Sequence, residues 1–177
     1  TKTYNIPEAG RTAKGTPVVN IIEKSPEEKI SEIIPVKEFS DNEYLVMVTK
    51  NGVIKKTPAS EYESIRKSGK IAITLKEGDE LISIFKTTGN DNIFLATRNG
   101  MAICFNENDA RAVGRTASGV KAIDLADGDY VVGAEPVRED SKVLLVTDGG
   151  YGKCTDLTSF RTQHRGGKGL KAYKITE

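Results

Sequence analysis

The chain has 177 residues, of which 37% are hydrophobic and 29% charged, and its 26 basic residues nearly balance 25 acidic ones. This composition is typical of a soluble globular protein and excludes a uniformly basic nucleic-acid binder, although cations can still gather on one face. No apolar run approaches the roughly 18 residues of a membrane span. The two cysteines, Cys104 and Cys154, form no CxxC pair. We therefore expect a cytoplasmic protein without a membrane partner, disulfide framework or metal site.

Three β-rich stretches recur along the chain: "LVMVTKNGVIKKT" (45–57), "IFLATRNGMAICF" (93–105) and "VLLVTDGGYGKCT" (143–155). In the first, strands are predicted over 44–49 and 53–57. The dipeptides Asn51-Gly52, Asn99-Gly100 and Gly149-Gly150 predict two-residue type I′ hairpin turns.

A second motif follows each hairpin and ends in a further β-rich run. Its three copies are "RKSGKIAITL" (66–75), "RTASGVKAIDL" (115–125) and "RGGKGLKAYKI" (165–175), and a fourth, "RTAKGTPVVNII" (11–22), lies near the N-terminus. In the first complete repeat we predict a third strand over 70–75, a turn at 77–79 and a fourth strand over 80–87.

Four strands in about 50 residues indicate a propeller blade. The predicted fold is all-β and propeller-like, with four-stranded blades and about three blades of an open or partial array. The chain is then one repeat domain, 1–177. Its parts are a partial blade (1–44), two blades (45–92 and 93–141) and a second partial blade (142–177). The first residue is not Met and neither end looks like a capping repeat, so we expect a segment of a longer array.

Each loop between the predicted second and third strands is basic. We name these the first (58–70), second (106–121) and third (156–171) basic loops. An arginine precedes the loop glycine in every copy, at Arg11, Arg66, Arg115 and Arg165. Lysines accompany it, at Lys14, Lys67, Lys70, Lys121, Lys168 and Lys171.

Equivalent loops of successive blades emerge on one rim, so these cations predict a curved row suited to a polyanion. Arginine offers a bidentate fork to phosphate, and glycine lets backbone N–H groups approach it. A structural role is the alternative, in which the arginines pair with blade acids such as Asp79 or Asp129. A propeller scaffold that binds an acidic protein is also compatible with the pattern.

The repeat segments resemble those of the C-terminal domain of the DNA gyrase A subunit. The resemblance covers the whole chain and includes "YNIPEAGRTAKGTPVVNII" and "GGYGKCTDLTSFRTQHRGGKG". That family carries a basic box of the form Q-R/K-R-G-G-R/K-G. Residues 163–169 match it except at His164, which replaces the cation at the second position; the matching residues are Gln163, Arg165, Gly166, Gly167, Lys168 and Gly169. The box normally lies in the first blade, so this late copy is expected to be a variant in a later blade.

The resemblance implies a six-bladed β-pinwheel, in which neighbouring blades exchange hairpins and DNA wraps around a basic perimeter. It implies no enzyme activity for this chain alone, but a part in ATP-dependent negative supercoiling. The implied partners are double-stranded DNA, the rest of the gyrase A subunit, and the gyrase B subunit in an A2B2 complex. ATP and Mg²⁺ belong to other domains, and no cofactor or small-molecule substrate is expected here. The C-terminal domain of the topoisomerase IV A subunit is the alternative family.

Overall fold

The computed structural model describes residues 1–64 and 69–175, and the predicted all-β architecture is confirmed. Every strand pairing is antiparallel apart from two isolated bridges. The described residues contain no helix long and apolar enough to cross a membrane. Ten strands follow in chain order: β1 (Tyr44–Thr49), β2 (Val53–Pro58), β3 (Leu81–Thr87), β4 (Asn92–Thr97), β5 (Met101–Asn106), β6 (Val120–Lys121), β7 (Val131–Pro136), β8 (Lys142–Val146), β9 (Gly152–Asp156) and β10 (Leu170–Lys171).

The three hairpins lie where the sequence predicts them, but their turns differ from the predicted type. Gly52 has φ of 76° and its N–H donates to the Thr49 carbonyl at 3.0 Å, which makes a three-residue loop. A type I′ turn needs positive φ at both central residues. Among the described residues only Asp140 combines a side chain with positive φ, so the two-residue prediction was wrong. The Asp79 carboxylate accepts the Asn51 N–H at 2.9 Å and holds the observed turn.

Each complete blade takes one strand from the next repeat. The sheet of the first blade has the order β3-β1-β2-β6, and that of the second blade has the order β10-β5-β4-β7. Thus β6, at the end of the second basic loop, pairs with β2 of the preceding blade. In the same way β10 pairs with β5. We call residues 120–125 and 170–175 the donated segments.

The predicted third strand over 70–75 was therefore wrong, because this segment belongs to no strand. By repeat it corresponds to the donated segments, whose partner is the second strand of the preceding repeat. Residues 1–43 contain no hairpin, so neither 70–75 nor its N-terminal copy at 11–22 has such a partner. The N-terminal part has two 3₁₀ turns, at Thr3–Asn5 and Val18–Asn20, and no strand before Tyr44.

The cores lie between consecutive blades. One cluster joins the first and second blades and includes Val46, Val48, Ile93 and Leu95, all fully buried. A second cluster packs Val143 and Leu145 of β8 against the second blade. The blades are thus held face to face by apolar side chains, and this packing aligns their edges.

The two junctions between blades differ at one pair of equivalent residues. At the first junction, the buried side chains of Lys56 and Glu107 form an ion pair at 2.8 Å. Glu107 also accepts hydrogen bonds from the N–H groups of Gly89 and Asp91. At the second junction, Cys104 and Leu157 take the places of Lys56 and Glu107 and belong to an apolar cluster. One blade geometry therefore accommodates either a satisfied ion pair or an apolar contact.

Replacement of Glu107 by Gln should lower the free energy of unfolding by about 3–5 kcal/mol, because it leaves a buried lysine without its counter-ion. Adding Lys56→Met should recover part of that loss, since the unpaired charge is then removed. The measurement is urea denaturation of both variants. Glu80→Gln is the control, because the Lys50–Glu80 pair is exposed. A loss no larger than that of Glu80→Gln would contradict the prediction.

Candidate nucleic-acid interface

The second and third basic loops lie along the preceding blade in the same way. The Val113 N–H donates to the Lys56 carbonyl at 2.9 Å, and the Gln163 N–H donates to the Cys104 carbonyl at 2.8 Å. Lys56 lies in β2 and Cys104 in the corresponding strand β5. Both loops therefore occupy the same edge of successive blades, as the repeat predicts.

Hydrogen bonds also join each loop to the equivalent segment of the repeat before it. The Thr74 N–H donates to the Ala117 carbonyl at 3.3 Å, and the Asp124 N–H donates to the Gly167 carbonyl at 2.9 Å. The Gly166 N–H donates to the Ala122 carbonyl at 2.6 Å. The loops are thus connected into one rim rather than projecting separately.

The motif arginines are engaged in this rim. The Arg165 Nε donates to the Asp109 carbonyl and its terminal nitrogen donates to the Lys121 carbonyl, each at 2.8 Å. One repeat earlier, Arg115 donates to the Ile71 carbonyl at 3.3 Å. We call the hydrogen bonds from each motif arginine to carbonyls of the preceding repeat an arginine clasp, the first formed by Arg115 and the second by Arg165.

The acids near the clasp belong to the preceding loop. Arg115 Nε is 3.9 Å from the Glu61 carboxylate, and the Arg165 N–H donates to the Asp109 carboxylate at 3.3 Å. The suggested pairing with Asp79 or Asp129 is not seen, because those carboxylates accept the hairpin N–H groups of Asn51 and Asn99. The arginines therefore have a structural role, with different partners from those suggested.

A buried lysine strengthens the first clasp. The Lys55 ammonium donates to the carbonyls of Ala72 and Arg115, which belong to consecutive repeats. Burial, followed by the charge of Arg115, lowers the pKa of Lys55 to about 8. The second blade has Ile103 at this position, fully buried in the first junction's core.

The last glycine of the motif packs against the neighbouring strand. Gly169 has φ of 74°, and a Cβ built on it would collide with the Ala102 carbonyl of β5. Likewise, a Cβ built on Gly119 would lie only 2.5 Å from the Ile54 carbonyl oxygen of β2. These glycines therefore let the loop approach the preceding blade closely enough for the donated segment to pair.

Several predicted cations remain on the surface. Lys168 and Lys171 are exposed. Lys121 is exposed too, and its ammonium is 2.8 Å from the Asp124 carboxylate. This hydrogen bond lowers the pKa of Asp124. His164 is almost fully exposed, with Nδ1 3.3 Å from the Asp109 carboxylate.

The remaining predicted site residues do not join the row formed by the second and third basic loops. Arg11 and Lys14 lie in and beside an exposed turn whose hydrogen bond, Ala13 N–H to Gly10 carbonyl, is local. Lys70 donates to the Glu61 carbonyl of its own loop at 3.2 Å. Arg66 and Lys67 lie outside the described residues.

Two exposed arginines, Arg111 and Arg161, were not among the predicted site residues. They occupy equivalent positions, four residues before the clasp arginines, so the recurring R-x-x-x-R spacing could have identified them.

The rest of the described chain has no group of His, Cys, Asp and Glu side chains that could hold a metal ion. Cys104 is buried in β5 and Cys154 is exposed in β9, and both are free thiols. Burial raises the pKa of Cys104.

The sequence model of the family described as "DNA gyrase C-terminal domain, beta-propeller" matches residues 1–37, 43–88, 91–138 and 141–177. The chain belongs to this family. It is 55% identical over 120 residues to the DNA gyrase A subunit of Clostridium acetobutylicum and 49% identical to that of Halalkalibacterium halodurans. Each match covers 68% of this chain but only 14% of the relative, so the matched part is about a seventh of the relative's length.

Solved structures of gyrase-type C-terminal domains share the fold. A crystal structure of the C-terminal domain of DNA topoisomerase IV matches with a TM-score of 0.83 at 34% identity, over 89% of this chain and 49% of that one. A DNA gyrase A C-terminal domain matches with a TM-score of 0.82 at 27% identity, over 93% and 55%. The two structures are almost equally similar in fold, whereas the curated relatives are named as gyrase A subunits.

Replacement of Arg165 by Gln should lower the free energy of unfolding by about 1–2 kcal/mol, because two charge-assisted hydrogen bonds to carbonyls are lost in a partly exposed setting. Lys168→Gln is the control. Lys168 is exposed and lies three residues after Arg165, so this variant also removes one positive charge. That variant should remain within about 0.5 kcal/mol of the parent. Equal unfolding free energies for the two variants in urea would argue against the clasp.

Gly169→Ala should destabilise the fold more than Gly128→Ala. Both glycines have φ of 74°, but a Cβ at Gly128 meets open space. The Gly128 variant therefore measures backbone strain alone, about 1 kcal/mol. Overpacking against Ala102 should add about 1–3 kcal/mol at Gly169. Thermal unfolding followed by circular dichroism compares them, and equal losses would exclude the close approach.

Proposed function

We propose that this chain is a non-catalytic module that binds duplex DNA through the phosphate backbone and bends it around the rim formed by the basic loops. The observation that supports this most strongly is the attachment of the second and third basic loops to the preceding repeat. Cations from different repeats thereby lie along one continuous edge, which suits a ligand with charge repeated along its length.

The chemistry of the rim favours phosphate over base recognition. Its exposed groups include lysine ammonium ions such as Lys168 and Lys171, which act as point charges. The aromatic residue of the third loop, Phe160, packs edge-on against Phe94 with ring centroids 5.0 Å apart, so it anchors the loop. Binding should therefore be independent of sequence and sensitive to salt.

Membership of the gyrase family suggests how this binding is used. In the parent enzyme, we infer, the rim wraps a DNA segment with positive handedness and presents it for strand passage, so that negative supercoils are introduced. The rest of the gyrase A subunit, with the gyrase B subunit in an A2B2 complex in the cytoplasm, supplies the ATP-dependent steps. The chain itself then acts as a DNA-shaping part of a topoisomerase.

The first test is binding of the chain to duplex DNA across a salt series. If two cations in each of the second and third basic loops contact phosphates, about four counterions are released and the slope of log K against log [salt] is about −3.6. Fluorescence anisotropy with two unrelated duplex sequences should give the same slope. Salt-insensitive binding, or none, would refute the proposal, and preference for an acidic protein would favour the scaffold function.

Bending is tested separately by ligase closure of DNA fragments near one persistence length, about 150 base pairs. The chain should accelerate closure, and nicked plasmids sealed by ligase in its presence should have a changed linking number. Binding without either effect would limit the function to DNA attachment.

A further inference from the structure

We propose that Arg111 and Arg161 form the principal phosphate-contacting row of the rim, and that the motif arginines beside them position this row through the clasp. The inference rests on the proposed DNA binding and assigns it to two residues outside the glycine motif.

The backbone holds the two arginines in matching places. A 3₁₀ turn precedes each one, Glu107–Asp109 in the second loop and Leu157–Ser159 in the third. After each one, the chain forms a parallel bridge to the preceding blade, between Ala112 and Lys56 and between Thr162 and Cys104. Both arginines are therefore fixed by contacts on either side, one repeat apart.

Their neighbours in sequence face inward. Ala110, just before Arg111, is buried in the core between the first and second blades. Phe160, just before Arg161, packs on Phe94 of the second blade. Arg111 and Arg161 themselves are exposed, so this part of each loop anchors one side chain and presents the next to solvent.

These guanidinium groups are available for an anion. Within residues 1–64 and 69–175, neither takes part in an ion pair or a side-chain hydrogen bond. By contrast, Arg115 forms an ion pair and a hydrogen bond, and Arg165 donates to two carbonyls. Guanidinium binds phosphate bidentately and keeps its charge at any relevant pH. The free arginines should therefore contribute more to phosphate binding than the engaged ones.

The row has two members in this chain. Counted from the first residue of the 3₁₀ turn, Arg111 and Arg161 are fifth, and the residue at the same count in the first basic loop, whose turn begins at Ala59, is the acid Glu63. The anion path is thus expected to follow the second and third loops.

The test compares the double variant Arg111→Gln/Arg161→Gln with the parent chain in duplex DNA binding over a salt series. Loss of two phosphate contacts should reduce the slope by about 1.8, at about 0.9 per contact. Arg138→Gln is the matched control, because Arg138 is exposed in the turn between β7 and β8 and lies outside the three basic loops in sequence. It should leave the slope unchanged, and Arg111→Lys/Arg161→Lys should restore it.

Thermal unfolding midpoints of the variants should match that of the parent chain and so establish that the fold is kept, because neither arginine side chain bonds another of the described residues. If the parent chain binds duplex DNA but the double Gln variant has the slope of the parent, the row is wrong and the proposed function stands. If the parent chain itself shows no salt-sensitive binding, both fall together.

Discussion

The pairing of each donated segment with the second strand of the preceding repeat is the constraint on which the other features depend. It brings Val120 against Ile54 and Leu170 against Ala102, and it requires glycine at 119 and 169. It also draws each basic loop across the edge of the preceding blade. The rim is therefore a product of strand donation between repeats, and the apolar cores hold the blades face to face.

Within the rim, the arginines divide into two groups with different physical tasks. Arg115 and Arg165 donate to backbone carbonyl groups of the preceding repeat. Arg111 and Arg161 face solvent. The arginines of the recognisable motif can thus be needed to hold the loop conformation, whereas the neighbouring arginines outside the motif keep a free charge that can bind a polyanion.

The sequence was sufficient to predict the hairpins, their spacing and the common edge of the basic loops, because glycine and alternating β-rich residues act locally. It could not reveal that residues 70–75 lack a strand, since strand formation there depends on a partner elsewhere in the chain. The turn type was missed for a similar reason, because Asp79 captures the Asn51 N–H from another turn. Nor could the clasp be foreseen, because its acceptors are backbone carbonyls such as that of Lys121.

Strand exchange also has a consequence for biosynthesis. A chain made from its N-terminus reaches Ile54 well before Val120, so β2 must wait with an open edge until the second basic loop has left the ribosome. The same delay recurs for β5 and Leu170. Each newly made hairpin is thus transiently exposed to pairing with other chains. In this architecture a blade gains its last strand only after the next repeat has been synthesised. A ribosome that stalls within a repeat therefore leaves the preceding blade incomplete.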